Sequence, residues 1–273
     1  MERQLAIALS LEKTGFGPVL FGGEPERGMR LLAELGYSAV ELSIRDSTKV
    51  DRSWLRRLLD ENRLSLSGIA TGQTYYTDGH SLASPAAAGR EVAVARLKGH
   101  IDLAAEFGAV VIIGGVRGTL AKEPRERESQ WRAFVEAVGE LADYAAARGV
   151  RLALEPINRY ETNLINTVGE GLDLLEQVGR GNLGLLVDTF HMNIEEASLA
   201  KSICRAGSAL LYVHLADSNR WAPGMGHLRF GEVFRALDRI GYLGPLSAEI
   251  LPQPTAEKAA SAAARFLKEA MER

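Results

Sequence analysis

Residues 149–161 read Gly149-Val150-Arg151-Leu152-Ala153-Leu154-Glu155-Pro156-Ile157-Asn158-Arg159-Tyr160-Glu161. A helix-stopping glycine, a short apolar run, a terminal acid and a polar loop follow one another. The run Arg151–Leu154 is too short for a helix. It is continuous rather than alternating, as expected of a strand covered on both faces in a parallel sheet. The same unit recurs outward in both directions. Apolar runs occupy Leu5–Leu9, Ala39–Leu42, Leu64–Ala70 and Ala109–Ile113 before it, and Leu183–Val187, Leu210–Leu215 and Leu246–Ile250 after it. Helical patterns lie between them. In Arg125–Arg148, residues Trp131, Phe134, Val135, Val138, Leu141 and Ala142 recur at helical spacing with charge opposite. Leu172–Val178, Ile194–Ala206, Val233–Ile240 and Ala256–Met271 behave alike. Gly36, Gly108, Gly149 and Gly241 stand where helices should stop.

Strands and helices alternating in this way predict an α/β fold, a (β/α)8 TIM barrel. An open doubly wound sheet would place a glycine-rich phosphate loop after its first strand. Here that strand leads into Ser10-Leu11-Glu12-Lys13. No linker, repeat or low-complexity tract interrupts the pattern, so residues 1–273 are expected to form one barrel domain. The polar, small-residue stretch Thr71–Ala88 reads as an extended loop over the barrel mouth. Asn193 and Asp217 read equally as ligand-binding polar groups or as, respectively, a cap for the helix beginning near Ile194 and a turn acid.

The 273 residues carry 32 Lys plus Arg against 35 Asp plus Glu, a net charge of −3, with 46% hydrophobic and 25% charged residues. This is ordinary globular composition. It argues against disorder and against the basic footprint of a nucleic-acid or membrane-surface protein. No apolar run approaches the roughly 20 residues that span a bilayer. Charge returns at Glu12 and Lys13 after the first apolar run, which is not a signal-peptide pattern, and Cys204 has no cysteine to pair with. A cytoplasmic location is expected.

In such a barrel the chemistry sits at the C-terminal strand ends. Strand two carries Glu41, and strand five ends at Glu155. Strand six ends at Asp188, strand seven carries His214 and strand eight carries Glu249. The last four come from consecutive strands and can converge near the barrel axis. Three carboxylates and an imidazole cannot share a dry pocket without a compensating charge. A divalent cation resolves the conflict, and an oxygen-rich set with one nitrogen suits Mn²⁺, Co²⁺ or Mg²⁺ better than a structural Zn²⁺ site. Taken singly, each acid could equally cap a helix or pair with arginine. The loops that follow are dense in hydrogen-bonding groups suited to a polyhydroxylated ligand. Arg117, after strand four, and Arg220, after strand seven, are suited to a sugar-acid carboxylate.

Leu154 through Glu161, the run Asp188-Thr189-Phe190-His191-Met192-Asn193, and His214 through Arg220 resemble the signature blocks of the ketose 3-epimerases. These are tagatose 3-epimerase-like members of the xylose-isomerase-like barrel superfamily. The resemblance runs essentially end to end. Ala70-Thr71-Gly72-Gln73 with Asp78-Gly79, and Ile112 through Gly118, resemble a narrower group, the 5-keto-L-gluconate epimerases. The resemblance implies that Glu155, Asp188, His214 and Glu249 bind one divalent metal ion, with Mn²⁺ the expected one. It implies that Glu155 and Glu249 are the two acid/base carboxylates, and that Glu161, His191 and Arg220 hold the sugar's oxygens. It further implies a homo-oligomer, a dimer or tetramer. Ile250 departs from the proline that many relatives carry after the strand-eight Glu.

On this basis the chain is expected to invert the carbon beside the ketone of a keto-sugar or keto-sugar acid, the narrower match pointing to 5-keto-L-gluconate and D-tagaturonate. One carboxylate would remove the proton and the other return one to the opposite face of an enediolate. An aldose–ketose isomerase would use the same groups to move the carbonyl, and a non-catalytic sugar-binding barrel would need neither acid. An abasic-site endonuclease of the same fold resembles a multi-zinc site needing many histidines; this chain has five, and His80 and His100 lie outside the strand-end set.

Overall fold

A computed structural model describes residues 3–271. Eight parallel strands close into a barrel in chain order: β1 Leu5–Ser10, β2 Ala39–Ser43, β3 Ser65–Ala70, β4 Val110–Ile113, β5 Leu152–Leu154, β6 Leu183–Asp188, β7 Leu210–His214 and β8 Leu246–Ala248. Helices ring it: α1 Pro25–Glu34, α2 Arg52–Asn62, α3 Gln73–Tyr76, α4 Ala87–Phe107, α5 Pro124–Ala146, α6 Val168–Val178, α7 Thr189–Glu195, α8 Leu199–Ala206, α9 Phe230–Arg239 and α10 Ala256–Met271. This is the expected (β/α)8 arrangement. Gly36, Gly108, Gly149 and Gly241 all take the left-handed conformation at helix ends. Among the described residues no helix is long and apolar enough to cross a membrane.

The continuous apolar reading of the strands conceals a period of two that places the site. Side chains alternate across a strand. Val111, Ile113, Leu152, Leu154, Leu185, Val187 and Val213 face the helices and join the main core. Val110, Ile112, Ala153, Leu186 and Tyr212 form a second, smaller cluster, which fills the barrel interior. Continuing that inward series by two residues arrives at Glu155, Asp188 and His214. On β8, Ser247 precedes Glu249 in the same phase, while Ala248 and Ile250 belong to the outer core. The register pairs Asp188 with His214 and His214 with Ser247, so the strand ends stand side by side above an apolar floor.

Two local expectations are corrected. The stretch 194–206 is not one helix: the chain breaks at Glu196, and Ser198 caps α8 by accepting from the Lys201 amide. Asn193 therefore lies inside α7 and does not cap a helix at Ile194. The physical reason is the acid at position 188. Its Oδ1 accepts from the Phe190 amide at 2.8 Å and starts α7 directly after β6. Asp217 is the expected turn acid, accepting from the amides of Ser218, Gly224 and Leu228. The 71–88 stretch is a loop carrying the single turn α3, and Arg45 and Arg96 both pair with Asp78 to brace it.

Candidate active site and metal centre

Glu155, Asp188, His214 and Glu249 are all buried, and each offers one ligand atom within 4.8 Å of every other. His214 Nδ1 lies 3.4 Å from Glu155 Oε1, 3.7 Å from Glu249 Oε2 and 3.9 Å from Asp188 Oδ2. Glu155 Oε1, Asp188 Oδ2 and His214 Nδ1 are buried and have no hydrogen-bond partner. Buried polar atoms are normally satisfied, and orphaned ones need an explanation. Three of them facing one point, with a third carboxylate, Glu249, beside them, fit a divalent cation with metal–ligand distances of roughly 2.0–2.6 Å. Asp188 reconciles two roles: Oδ1 caps α7 while Oδ2 faces the cluster.

The electrostatics show the strain of the acids without a cation between them. Burial, reinforced by the neighbouring Glu155 and Asp188 charges, pushes the Glu249 carboxyl up to about 8 despite His214 and Arg220. Burial likewise pushes Asp188 up to about 6. For His214 burial acts downward, but the carboxylates around it override that and raise its pKa well above the ordinary value. A bound cation would favour the ionised carboxylates and the neutral imidazole.

Arg220 and His191 form the next layer. The Arg220 guanidinium pairs with Glu249 Oε2, stands 3.6 Å from Asp188 Oδ2 and 3.9 Å from Glu161 Oε1, and lies over the Phe190 ring. His191, brought in by the early start of α7, has Nε2 3.8 Å from Glu155 Oε1 and 3.2 Å from an Arg220 nitrogen. Burial, with Arg220 beside it, holds its pKa well below the ordinary value, so the ring is neutral. Asn158 lies within 2.7 Å of His191 Nδ1 and donates to Glu161 Oε1 at 2.9 Å. Glu161 sits at the lip, about a third exposed.

Seven of the eight sequence-picked residues thus meet in one place. Arg117 is set apart. It lies on a 3-10 turn, Gly115–Arg117, fully buried, with one nitrogen donating to the Ile165 carbonyl at 3.3 Å and two others unpartnered. Burial lowers it to about 10, so it stays protonated at neutral pH. Its burial excludes a solvent-exposed surface role. Three neighbours had been given no catalytic or binding role from sequence. Glu41, noted on strand two, reaches across the barrel to within 2.8 Å of His214 Nε2. Phe16 and Tyr76 stack over the mouth with ring centroids 5.3 Å apart. The Tyr76 ring lies so close over Gly115 that any side chain there would collide with it. The lining formed by these rings, Thr71, Gly114, Glu161, His191, Glu155, His214 and Glu249 leaves a cavity of about 20 Å³, room for roughly one water. A larger surface groove of about 480 Å³, lined by Lys122, Arg127, Trp131 and Glu170, contains none of the clustered acids.

Comparison with known proteins gives a consistent answer. Residues 29–270 match the family described as xylose isomerase-like TIM barrel. An L-ribulose 3-epimerase of Methylomonas sp. (strain DH-1) is 39% identical over 220 residues, covering 80% of this chain and 75% of the relative. A ketose 3-epimerase of Arthrobacter globiformis is 37% identical over 219 residues, covering 79% and 74%. The crystal structure of a D-allulose 3-epimerase from Methylomonas sp. in complex with D-allulose superposes with a TM-score of 0.83 at 28% identity, covering 98% of each chain. Taken with the closed barrel and the acids at its strand ends, these likenesses place the chain in the ketose 3-epimerase family of the xylose isomerase-like TIM barrels, a family of isomerase-class enzymes.

Proposed function

We propose that this chain is a divalent-cation-dependent ketose 3-epimerase, inverting the carbon beside the ketone of a keto-sugar. The observation that carries the reading is the convergence of Glu155 Oε1, Asp188 Oδ2 and His214 Nδ1, all buried and unpartnered, beside Glu249. Glu155, Asp188, His214 and Glu249 hold the ion, with Mn²⁺ the best match to three carboxylates and one imidazole and Co²⁺, Mg²⁺ or Zn²⁺ as substitutes. The cation supplies electrostatic stabilisation of the charge that develops when the carbon beside a ketone loses its proton.

The chain's own residues do the rest. One of Glu155 and Glu249 takes the proton from that carbon, and the other returns a proton to the opposite face. Arg220 anchors Glu249 through their ion pair and keeps its Oε2 oriented. His191 is held by Asn158 and Arg220, and Glu161 by Asn158. Both are placed to hydrogen-bond sugar hydroxyls and steer their protons. The Phe16–Tyr76 pair excludes water, and it must part for a sugar to enter a space of about 20 Å³.

For the substrate we favour a keto-sugar acid, with 5-keto-L-gluconate and D-tagaturonate as the pair. Arg220 already engages Glu249 and His191 and leaves only Nε unpartnered, whereas Arg117 retains two unpartnered nitrogens suited to a carboxylate. We also propose a cytoplasmic homo-oligomer, a dimer or tetramer, and light scattering on the purified protein tests the assembly.

Proton NMR in D₂O of the Mn²⁺-loaded protein with 5-keto-L-gluconate, D-tagatose, D-fructose and L-ribulose in separate tubes tests the function. Deuterium beside an unmoved ketone, with an inverted product, is the expected result, and the fastest tube identifies the substrate. A shifted carbonyl would make the chain an aldose–ketose isomerase, and no exchange in any tube would refute the epimerase assignment for these sugars.

A further inference from the structure

The reaction assigned above makes no use of Glu41. Its carboxylate is fully buried inside the barrel, on β2, while its partner His214 sits on β7 across the axis. Among the described residues His214 is its only basic neighbour within 4.0 Å. A lone carboxylate in such a place costs several kcal/mol unless it is paired and hydrogen-bonded, and an apolar residue would fill the same space without that cost. The backbone also makes a local exception to present it. The β2–β3 register shifts between Val40 and Glu41, and irregularities of this kind re-aim side chains next to functional sites.

The geometry says what the carboxylate accomplishes. A neutral imidazole carries one hydrogen, on Nδ1 or on Nε2. An ionised carboxylate has no hydrogen and can only accept. With Glu41 Oε2 2.8 Å from His214 Nε2, the favourable arrangement puts the hydrogen on Nε2. That leaves a lone pair on Nδ1, the nitrogen that faces Glu155, Asp188 and Glu249 and has no hydrogen-bond partner. The other tautomer would direct an N–H into the cluster and set two lone pairs against each other at Glu41. The ring is also fixed from below: Tyr212 meets it edge-on, with centroids 5.6 Å apart and planes at 88°, and the Tyr212 hydroxyl is tied to Ser67 Oγ at 2.7 Å. We infer that Glu41 is a positioning residue that holds His214 in the Nε2–H tautomer, so that Nδ1 presents its lone pair to the cation. The inference rests on the reading that Glu155, Asp188, His214 and Glu249 bind a divalent ion.

The test uses the full chain: Mn²⁺ affinity is measured by calorimetry on protein freed of metal by chelation, and the tautomer of His214 is read from long-range ¹H–¹⁵N spectra of the protein loaded with diamagnetic Zn²⁺, which keeps the ring neutral. Glu41→Gln is the sharp variant, because it keeps the shape but its amide can accept or donate and so no longer selects a tautomer. It should weaken Mn²⁺ binding about tenfold, and Glu41→Met by up to about 100-fold, the range found for outer partners of metal-bound histidines. The wild-type spectrum should show Nε2 protonated and Nδ1 bare, a signature that a merely structural Glu41 would leave unchanged on substitution. If Glu41→Met does not fold, Glu41→Gln decides. A folded Glu41→Gln protein with wild-type Mn²⁺ affinity, or a wild-type His214 protonated on Nδ1 alone, overturns the inference. Failure of the wild type itself to bind Mn²⁺ overturns the cation reading, and this inference with it.

Discussion

The two halves of the barrel do different work. In β5–β8 the last inward position of each strand, or the residue just beyond it, carries a ligand-type side chain: Glu155, Asp188, His214 and Glu249. In β1–β4 the corresponding region is small and smooth, with Ser10, Ser43, Thr71 and Gly114 bonded mostly to backbone or to Gln73. What that half contributes is shape, through Phe16 and Tyr76 on its loops and the bare Gly115 beneath the Tyr76 ring. The clustered acids and imidazole stand at strand ends, whereas Phe16 and Tyr76 stand on the connecting segments. Glu41 is the exception that joins the halves, because it comes from the shaping side and bonds to the chemical side.

The largest effect expected lies in the β5–β8 half. Glu155→Gln and Glu249→Gln should each lower kcat by a factor of about 10² to 10⁴, the usual worth of a positioned acid or base, with an unchanged circular dichroism spectrum. A smaller and different effect is expected in the other half. Gly115→Ala displaces the Tyr76 ring and should raise KM roughly tenfold while kcat stays within a few-fold, in line with a loss of binding shared by ground and transition states. If Gly115→Ala instead cut kcat as deeply as the glutamate variants, the division of labour between the halves would be wrong.

The smallest effect separates the halves by their buried histidines. His214 is held in the cluster, whereas His100, on α4 in the shaping half, is buried with Nδ1 2.5 Å from Ser47 Oγ. Burial, assisted by the nearby Arg96 charge, pushes His100 down from its ordinary 6.5 to about 3. Between those values the unfolded chain binds a proton that the folded chain does not. Stability must therefore fall as the pH drops below 6.5, at up to about 1.4 kcal/mol per pH unit from this group. Urea unfolding at pH 7.5 and pH 5.5 should show the loss in the wild type and a shallower dependence in His100→Asn. Equal slopes would mean that His100 is not neutral in the fold.

How much of this was legible in the sequence follows the same division. The β5–β8 cluster was readable because the barrel rule points to strand ends; the alternation that turns Asp188 inward with Leu186 became visible only in the structure. The three residues left without a site role depend on non-local geometry. Glu41 was visible as a strand-two acid, but its partner lies across the barrel, which no spacing along the chain encodes. Tyr76 and Phe16 meet only because two loops from different strands turn toward each other. Arg117 could be placed after strand four, but whether its guanidinium faced solvent or the interior depended on how residues 71–86 cover it, with the Leu82 and Ala83 amides donating to the Val116 and Arg117 carbonyls. The helix assumed over 194–206 failed because the cap at Asp188 starts α7 earlier than apolar periodicity suggests.

The central claim is that Glu155 and Glu249 exchange protons with opposite faces of one carbon. It is tested most directly by following deuterium uptake from D₂O into each of the two epimers separately, in the Mn²⁺-loaded Glu155→Gln and Glu249→Gln proteins. The account predicts that neither variant interconverts the epimers, that one variant still exchanges the proton of only one epimer, and that the other variant exchanges only the other. Interconversion at the wild-type rate in either variant, or exchange of both epimers by the same variant, would contradict it.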